Sequence, residues 1–301
     1  MFFEIGRTAR NMKNIIFILL ALCVGSLSLA QNFEDARNTF QKYRESKIYE
    51  ITQVTNGYRL PSAPFALLHT GRTKYSVLLI HGLNDSPYYL KDIAKILFDQ
   101  GFNVVTILLA GHGLNLEEMK VVNYEDWLNE VQWGLRIASQ IGENVAVGGF
   151  STGGLLAVSS ALRDRSVKGL FLFAPALKVK SISLLGLGNR TASLSCMSGI
   201  NSISYESEVG DSPVKYGTRS VNGACQVINT INHLYGQVNR NIFTDDANNV
   251  LKEIGAKISI PTFLAVSTID KRLNTNSSIE FGRAIRANKS VLVYTPEASD
   301  M

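Results

Sequence analysis

Gly149-Phe150-Ser151-Thr152-Gly153 is the stretch on which the fold turns. It reads G-x-S-x-G, follows the apolar run Asn144–Gly148 and leads into the small-residue segment Gly154–Leu162, which reads as a helix. A serine on a tight strand-to-helix turn has its hydroxyl pushed out of the sheet, beside the unpaired N–H groups of the helix start. The glycines around it leave no Cβ to collide with the neighbouring strand or helix. Taken alone, the pattern is also that of any glycine-rich strand–helix turn, so its weight depends on its surroundings.

Upstream, the apolar strand Ser76–Ile80 runs into His81-Gly82-Leu83-Asn84-Asp85-Ser86-Pro87. Ser86 is expected to cap the next helix, with Pro87 in its first turn. That helix carries Leu90, Ile93, Ala94 and Leu97 at helical spacing and stops at Gly101. A further strand, Asn103–Leu109, leads into Gly111-His112-Gly113. The helix expected from Asn123 to Ile141 places Trp127, Val131, Leu135 and Ala138 on one stripe, and Val167–Phe173 reads as another strand. Continuous apolar strands separated by amphipathic helices predict a parallel sheet covered on both faces.

An HG loop after one strand, a GHG loop after the next, and then G-x-S-x-G resemble the α/β-hydrolase fold, closest within it the esterases, lysophospholipases and monoacylglycerol lipases. The resemblance runs from about Tyr75 to the C-terminus and is loose over the middle. It implies a mostly parallel sheet with helices on both faces and a lid insertion. It also implies an acyl-enzyme on Ser151, with the backbone N–H groups of Leu83 and Thr152 as the oxyanion hole. The triad acid is expected at Asp270, after the strand Pro261–Ser267; the chain order Ser, Asp, His is the one this fold uses. Asp211 and Asp245–Asp246 fit that role less well.

The base is the difficulty. His81 and His112 belong to the HG and GHG loops, where the related enzymes use them structurally. His69 reads as a surface residue, and His233 precedes Asp270 and so breaks the order. The family's histidine follows the last strand, here Ser290–Tyr294, and none stands between it and Met301; Asp300 is a weaker substitute. The expectation is therefore a hydrolase core whose C-terminal part is incomplete in this sequence. The competing expectation is a hydrolase-fold protein that binds without catalysing.

At 301 residues, 46% hydrophobic and 18% charged, the chain has material for one large α/β domain with an insertion. Residues 1–30 read as an export signal: Arg7, Arg10 and Lys13 precede the apolar run Ile15–Val24, and Ser28-Leu29-Ala30 offers a cleavage site. Removing their three basic residues and one acidic residue from the totals of 30 and 25 leaves 27 against 24, a net +3. Such a mild excess, with no basic run, argues against nucleic acid as a partner. The expected partner is a small-molecule or lipid-like ester, in a periplasmic or secreted setting, with no stable membrane span after signal cleavage. No cofactor or metal is expected.

The expected organisation is an N-terminal helix and edge segment over 31–74, core over 75–177, a lid over 178–259 and core again over 260–301. The N-terminal helix, Asn32–Lys47, reads as polar. The 178–259 stretch is rich in Ser, Asn and Gly, and its Leu184, Leu185, Leu187 and Ile200 tolerate an apolar chain. Cleavage of the signal leaves Cys196 and Cys225, a candidate disulfide in an oxidising compartment.

Overall fold

In the computed structural model, residues 30–179, 204–206, 210–240 and 246–295 are described. The expected signal peptide, Cys196, the lid leucines 184, 185 and 187, Ile200, Asp245 and Asp300 lie outside them. The architecture is a seven-stranded sheet in the order β1-β3-β2-β4-β5-β8-β9. Its strands are β1 (Ala66–Leu67), β2 (Thr73–Ile80), β3 (Phe102–Ile107), β4 (Gly142–Phe150), β5 (Val167–Phe173), β8 (Thr262–Ser267) and β9 (Lys289–Tyr294). Only β1 pairs antiparallel, with β3; the other neighbours are parallel.

The strand pattern follows from burial on both faces. Along β2, Leu78 and Ile80 join the core on one side and Val77 and Leu79 the core on the other, all four at 0% exposure. Continuous apolar runs are what a doubly covered parallel strand requires. One face is packed by α4 (Tyr124–Ile141), which follows the short α3 (Leu116–Val121), and by α5 (Thr152–Arg163); Trp127, Val131, Leu135 and Ala138 are buried there, as their spacing predicts. The Asp126 carboxylate accepts from the Asn123 N–H at 2.9 Å, which fixes the start of α4. The other face is covered by α2 (Lys91–Asp99) through Ala94 and Leu97, and by Leu90 of the turn before it. Farther along that face, from Ala146 and Phe171 to Phe263 and Ser290, lies an open cleft of about 440 Å³.

Three local expectations need correcting. The N-terminal helix, α1, runs over residues 30–55 and is not merely polar: Phe33, Phe40 and Ile51 are buried, and Tyr43 packs 4.2 Å from the Trp133 ring. Ser86 precedes a 3-10 turn, Pro87–Leu90, and caps nothing with its side chain; its hydroxyl is buried without a partner. His69 is half-buried, stacked on Phe98 at 4.1 Å, with Nε2 3.1 Å from the Phe98 carbonyl.

The 178–259 stretch contributes a two-stranded sheet of β6 (Ser204–Glu206) and β7 (Thr218–Ser220), then α6 (Val221–Gly236) and α7 (Ala247–Lys257). Helix α6 is buried over most of its surface, including the polar residues Asn222, Gln226 and Thr230. Asn222 donates to the carbonyls of Met119 and Val122 at 3.0 and 2.8 Å, and to Asn222 itself Gln226 donates at 2.9 Å. The Gln226 side-chain oxygen, Oε1, in turn accepts from the Tyr124 N–H at 3.0 Å. Helix α7 packs on α8 (Thr275–Ala284), where Gly255 lies against the Phe281 carbonyl. Among the described residues no helix is long and apolar enough to cross a membrane.

Candidate active site

From β2 the chain leaves toward β3 on one side, and from β4 toward β5 on the other. The C-terminal ends of β2 and β4 therefore flank the point where strand order reverses, the place at which open α/β sheets bind ligands. The two G-rich loops read from the sequence meet here.

Ser151 sits between β4 and α5 with φ +53° and ψ −113°, outside the regions a side-chain-bearing residue ordinarily occupies. Three backbone hydrogen bonds hold it there. Its N–H donates to the Phe173 carbonyl at 2.9 Å; its carbonyl accepts from Leu155 at 3.1 Å and Ala176 at 2.9 Å. The two glycines of the motif are sterically obligatory. A Cβ at Gly149 would stand 2.4 Å from the Gly153 backbone, and one at Gly153 would stand 2.0 Å from the Ile80 carbonyl oxygen.

Leu83, Ser151, Thr152 and Asp270 all line one cavity of about 170 Å³. Asp270 follows β8 in a tight turn, and its Oδ1 accepts from the N–H groups of Arg272 and Leu273, both at 2.8 Å. The approach of the β2 loop to Ser151 is close: a side chain at Gly82 would touch the Ser151 Cβ and Asp85 Oδ2, each at 3.3 Å. The cavity is completed by groups the sequence did not single out, among them Asp85, Lys215, Tyr216 and Arg272. Lys215 and Tyr216 carry no periodic or motif signal; Asp85 lay in plain view in the HG loop.

None of the four histidines lines this cavity. His81 and His112 are each 1% exposed and are used as structural bridges. His81 Nε2 accepts from the Leu109 N–H at 3.0 Å, which leaves Nδ1 protonated and donating to the Gly82 carbonyl at 2.8 Å. His112 Nε2 likewise accepts from the Asn84 N–H at 3.1 Å, while Nδ1 faces the Ala110 and Leu109 carbonyls at 3.1 and 3.2 Å. Burial disfavours the charged form of both. It holds His81 well below the usual histidine range, helped by neighbouring His112, and lowers His112 to about 4. His233 lies on α6 with Nε2 3.2 Å from the Arg163 guanidinium and its ring 5.5 Å from that of Tyr124. It faces a different surface cleft, and partial burial followed by Arg163 lowers its pKa. His233 is thus not the partner of Ser151. Asp211 pairs with Arg59 at 2.6 Å, away from the nucleophile position, and Asp246 caps α7.

Residues 71–299 match the profile of the family described as serine aminopeptidase, S33. The chain belongs to this family of α/β hydrolases. Among its relatives, this S33-family chain is 24% identical over 204 residues to the carboxylesterase of Bacillus subtilis (strain 168), covering 67% of the chain and 75% of the relative. It is 28% identical over 107 residues to the thermostable monoacylglycerol lipase of Bacillus sp. (strain H-257). That match spans 36% of the chain and only 43% of the lipase. Among solved structures, a metagenome-derived lipolytic enzyme superposes with a TM-score of 0.61 at 18% identity, covering 78% of this chain and 87% of the other. The monoacylglycerol lipase of Paleococcus ferrophilus does so with a TM-score of 0.59 at 16% identity, covering 77% and 88%. These structures share the S33-family fold described above.

Cys225, 2% exposed on α6, is disulfide-bonded. It stands two residues before Val227, which lines the cavity.

Proposed function

We propose that this protein hydrolyses carboxylic esters through an acyl-enzyme on Ser151. The observation that carries the reading is the strained, backbone-clamped Ser151 opening onto a cavity it shares with Leu83, Thr152 and Asp270. Ser151 Oγ attacks the ester carbonyl carbon and gives up its proton to a base. The oxyanion so formed is met by the Leu83 and Thr152 N–H groups, the latter at the start of α5, where donors lack intrahelical partners. Collapse of the intermediate breaks the bond to the alcohol, which leaves with a proton, and water then releases the acid. Asp270 is the triad acid of this reading, which would orient the base.

The family's description invokes a peptidase, but the lining favours an ester. An aminopeptidase needs an uncommitted anionic group for the substrate's α-ammonium. Of the two carboxylates lining the cavity, Asp85 pairs with Lys215 and Asp270 is held by two N–H groups. Lys215 and Arg272 add positive charge beside them. A cavity of about 170 Å³, below the roughly 300–1,000 Å³ of drug-sized sites, suits short acyl groups. The reading further includes export directed by residues 1–30, and a bridge from Cys225 to Cys196 under the oxidising conditions that export implies.

The absence of any histidine from the cavity lining favours one second reading, a hydrolase-fold protein that binds without turnover. The test is incubation with p-nitrophenyl acetate and butyrate, with alanyl p-nitroanilide and with a fluorophosphonate probe, using Ser151→Ala as control. Ester turnover and labelling, both abolished by the substitution, support the hydrolase. Ligand binding with neither supports the second reading, and preferred cleavage of the anilide points to a peptidase.

A further inference from the structure

The oxyanion donor proposed at Leu83 belongs to the peptide joining Gly82 to Leu83. In a trans peptide the C=O and N–H point in opposite directions from one plane, so pinning the Gly82 oxygen aims the Leu83 N–H. That oxygen accepts from His81 Nδ1–H at 2.8 Å and from the Asp85 N–H at 3.2 Å, which closes a tight turn through Asn84 at φ +62°. Asn84, whose left-handed backbone is tolerated rather than preferred, is also held by its N–H, which donates to His112 Nε2 at 3.1 Å. A segment distant in sequence holds the turn as well.

Residues 211–217 lie across it. Lys215 Nζ stands 3.0 Å from Asp85 Oδ1, a carboxylate only 7% exposed, and the Tyr216 N–H donates to the Asn84 carbonyl at 3.1 Å. The contact joins a lysine ammonium to a buried carboxylate, so its contribution is chiefly electrostatic. The segment is itself anchored at two further points. The Tyr216 hydroxyl accepts from the Leu114 N–H at 2.9 Å and donates to the Gly111 carbonyl at 3.0 Å, in the loop that carries His112. On the far side Arg59, 8% exposed, donates to the Ser212 carbonyl at 2.7 Å and to Asp211 at 2.6 Å. Its guanidinium also stacks over the Tyr216 ring at 4.6 Å.

We propose that Lys215 is a positioning residue: with Tyr216 and Arg59 it makes residues 211–217 a strap that holds the Gly82–Asp85 turn with the Leu83 N–H aimed at the reacting carbonyl oxygen. The proposal rests on the reading of Ser151 as nucleophile and deepens it. An interaction that only aims a transition-state donor changes kcat and leaves KM alone, whereas a substrate-binding cation changes KM.

The experiment compares wild type with Lys215→Met, Lys215→Arg and Arg59→Gln, the last a residue that does not line the cavity. Two readouts are taken: amide hydrogen exchange of the peptide covering residues 79–90, which needs no turnover, and kcat and KM for p-nitrophenyl acetate. Expected are at least tenfold faster exchange in that peptide and about a tenfold lower kcat with KM within twofold for Lys215→Met and Arg59→Gln. Lys215→Arg should restore both, and the melting temperatures should show that every variant is folded. Unchanged exchange, or faster exchange with unchanged kcat, overturns the proposal, and so does a rise in KM alone, which makes Lys215 a substrate contact. Loss of the Ser151 reading is seen separately, as undiminished activity in Ser151→Ala.

Discussion

Relieving the backbone strain at Ser151 should make the protein more stable and inert. Its φ of +53° and ψ of −113° are tolerated only because the backbone is clamped from β5, α5 and Ala176. A residue held in so sparsely populated a region costs about 1–3 kcal/mol. Glycine escapes that cost but loses about 0.4–1 kcal/mol through the larger entropy of its unfolded chain. The balance is a net gain of about 1 kcal/mol, or some 2–4 °C in melting temperature for a domain approaching this size. Alanine keeps the Cβ and so keeps the strain. The comparison is therefore Ser151→Gly against Ser151→Ala, both catalytically silent, by calorimetry and urea denaturation under identical conditions. Ser151→Gly should melt above Ser151→Ala. If it melts at the same temperature or below, the turn is not strained in the way argued, and the case for a specially presented serine weakens with it.

Gly153→Ala should be severely destabilised, by about 3 kcal/mol or more, or fail to fold, because its Cβ would meet the Ile80 backbone at 2.0 Å with nothing free to rotate away; soluble yield and urea midpoint check this. His233→Gln should leave ester hydrolysis within about twofold of wild type, since His233 faces Arg163 and Tyr124 in another cleft. His112, lowered to about 4 by burial, binds a proton in the unfolded chain before it does in the folded one. Stability from this group is therefore full above about pH 6.5 and is lost as pH falls toward 4, by up to about 3 kcal/mol. The difference in urea stability between wild type and His112→Gln, measured from pH 7 to 4, should shrink accordingly. Non-reducing peptide mapping of exported protein should find Cys225 joined to Cys196, and two alkylatable thiols would refute that pairing.

The parts of this fold that were legible in the sequence are those whose burial is regular. β2, β3, β4, β5 and β8 were found within three residues at each end because a strand covered on both faces must be apolar throughout. Helix α4 was found because its stripe of Trp127, Val131, Leu135 and Ala138 faces one core. The shared cavity of Leu83, Ser151, Thr152 and Asp270 was legible for a different reason: each residue ends a strand or follows a glycine turn. Helix α6 was not legible. Its Asn222, Gln226 and Thr230 look like a solvated face, yet they are buried and bonded to one another and to the chain around them. The strap was illegible too, because much of it is held through backbone N–H and C=O groups, which every sequence possesses. Ser86 misled because a good capping residue stands at a position where a 3-10 turn intervenes.

The two histidines of the HG and GHG loops show why a motif can carry a chemical-looking residue that never touches substrate. Each must bridge a carbonyl and an N–H from different loops in a site 1% exposed, where a charge is costly. A neutral imidazole offers one donor and one acceptor on opposite sides of a rigid ring, and burial keeps it neutral. Lysine or arginine would bring a charge and no acceptor; serine is too short; glutamine has the right atoms on a flexible stem. Imidazole therefore suits a bridge between the Gly82 carbonyl and the Leu109 N–H, and another between the Asn84 N–H and the carbonyls of residues 109 and 110. Both bridges end on the Gly82–Asp85 turn. The loop that faces Ser151 is thus fixed from below by two neutral histidines and from above by Lys215 and Tyr216, and its one proposed chemical contribution is a backbone N–H that no side-chain reading of the sequence would reveal.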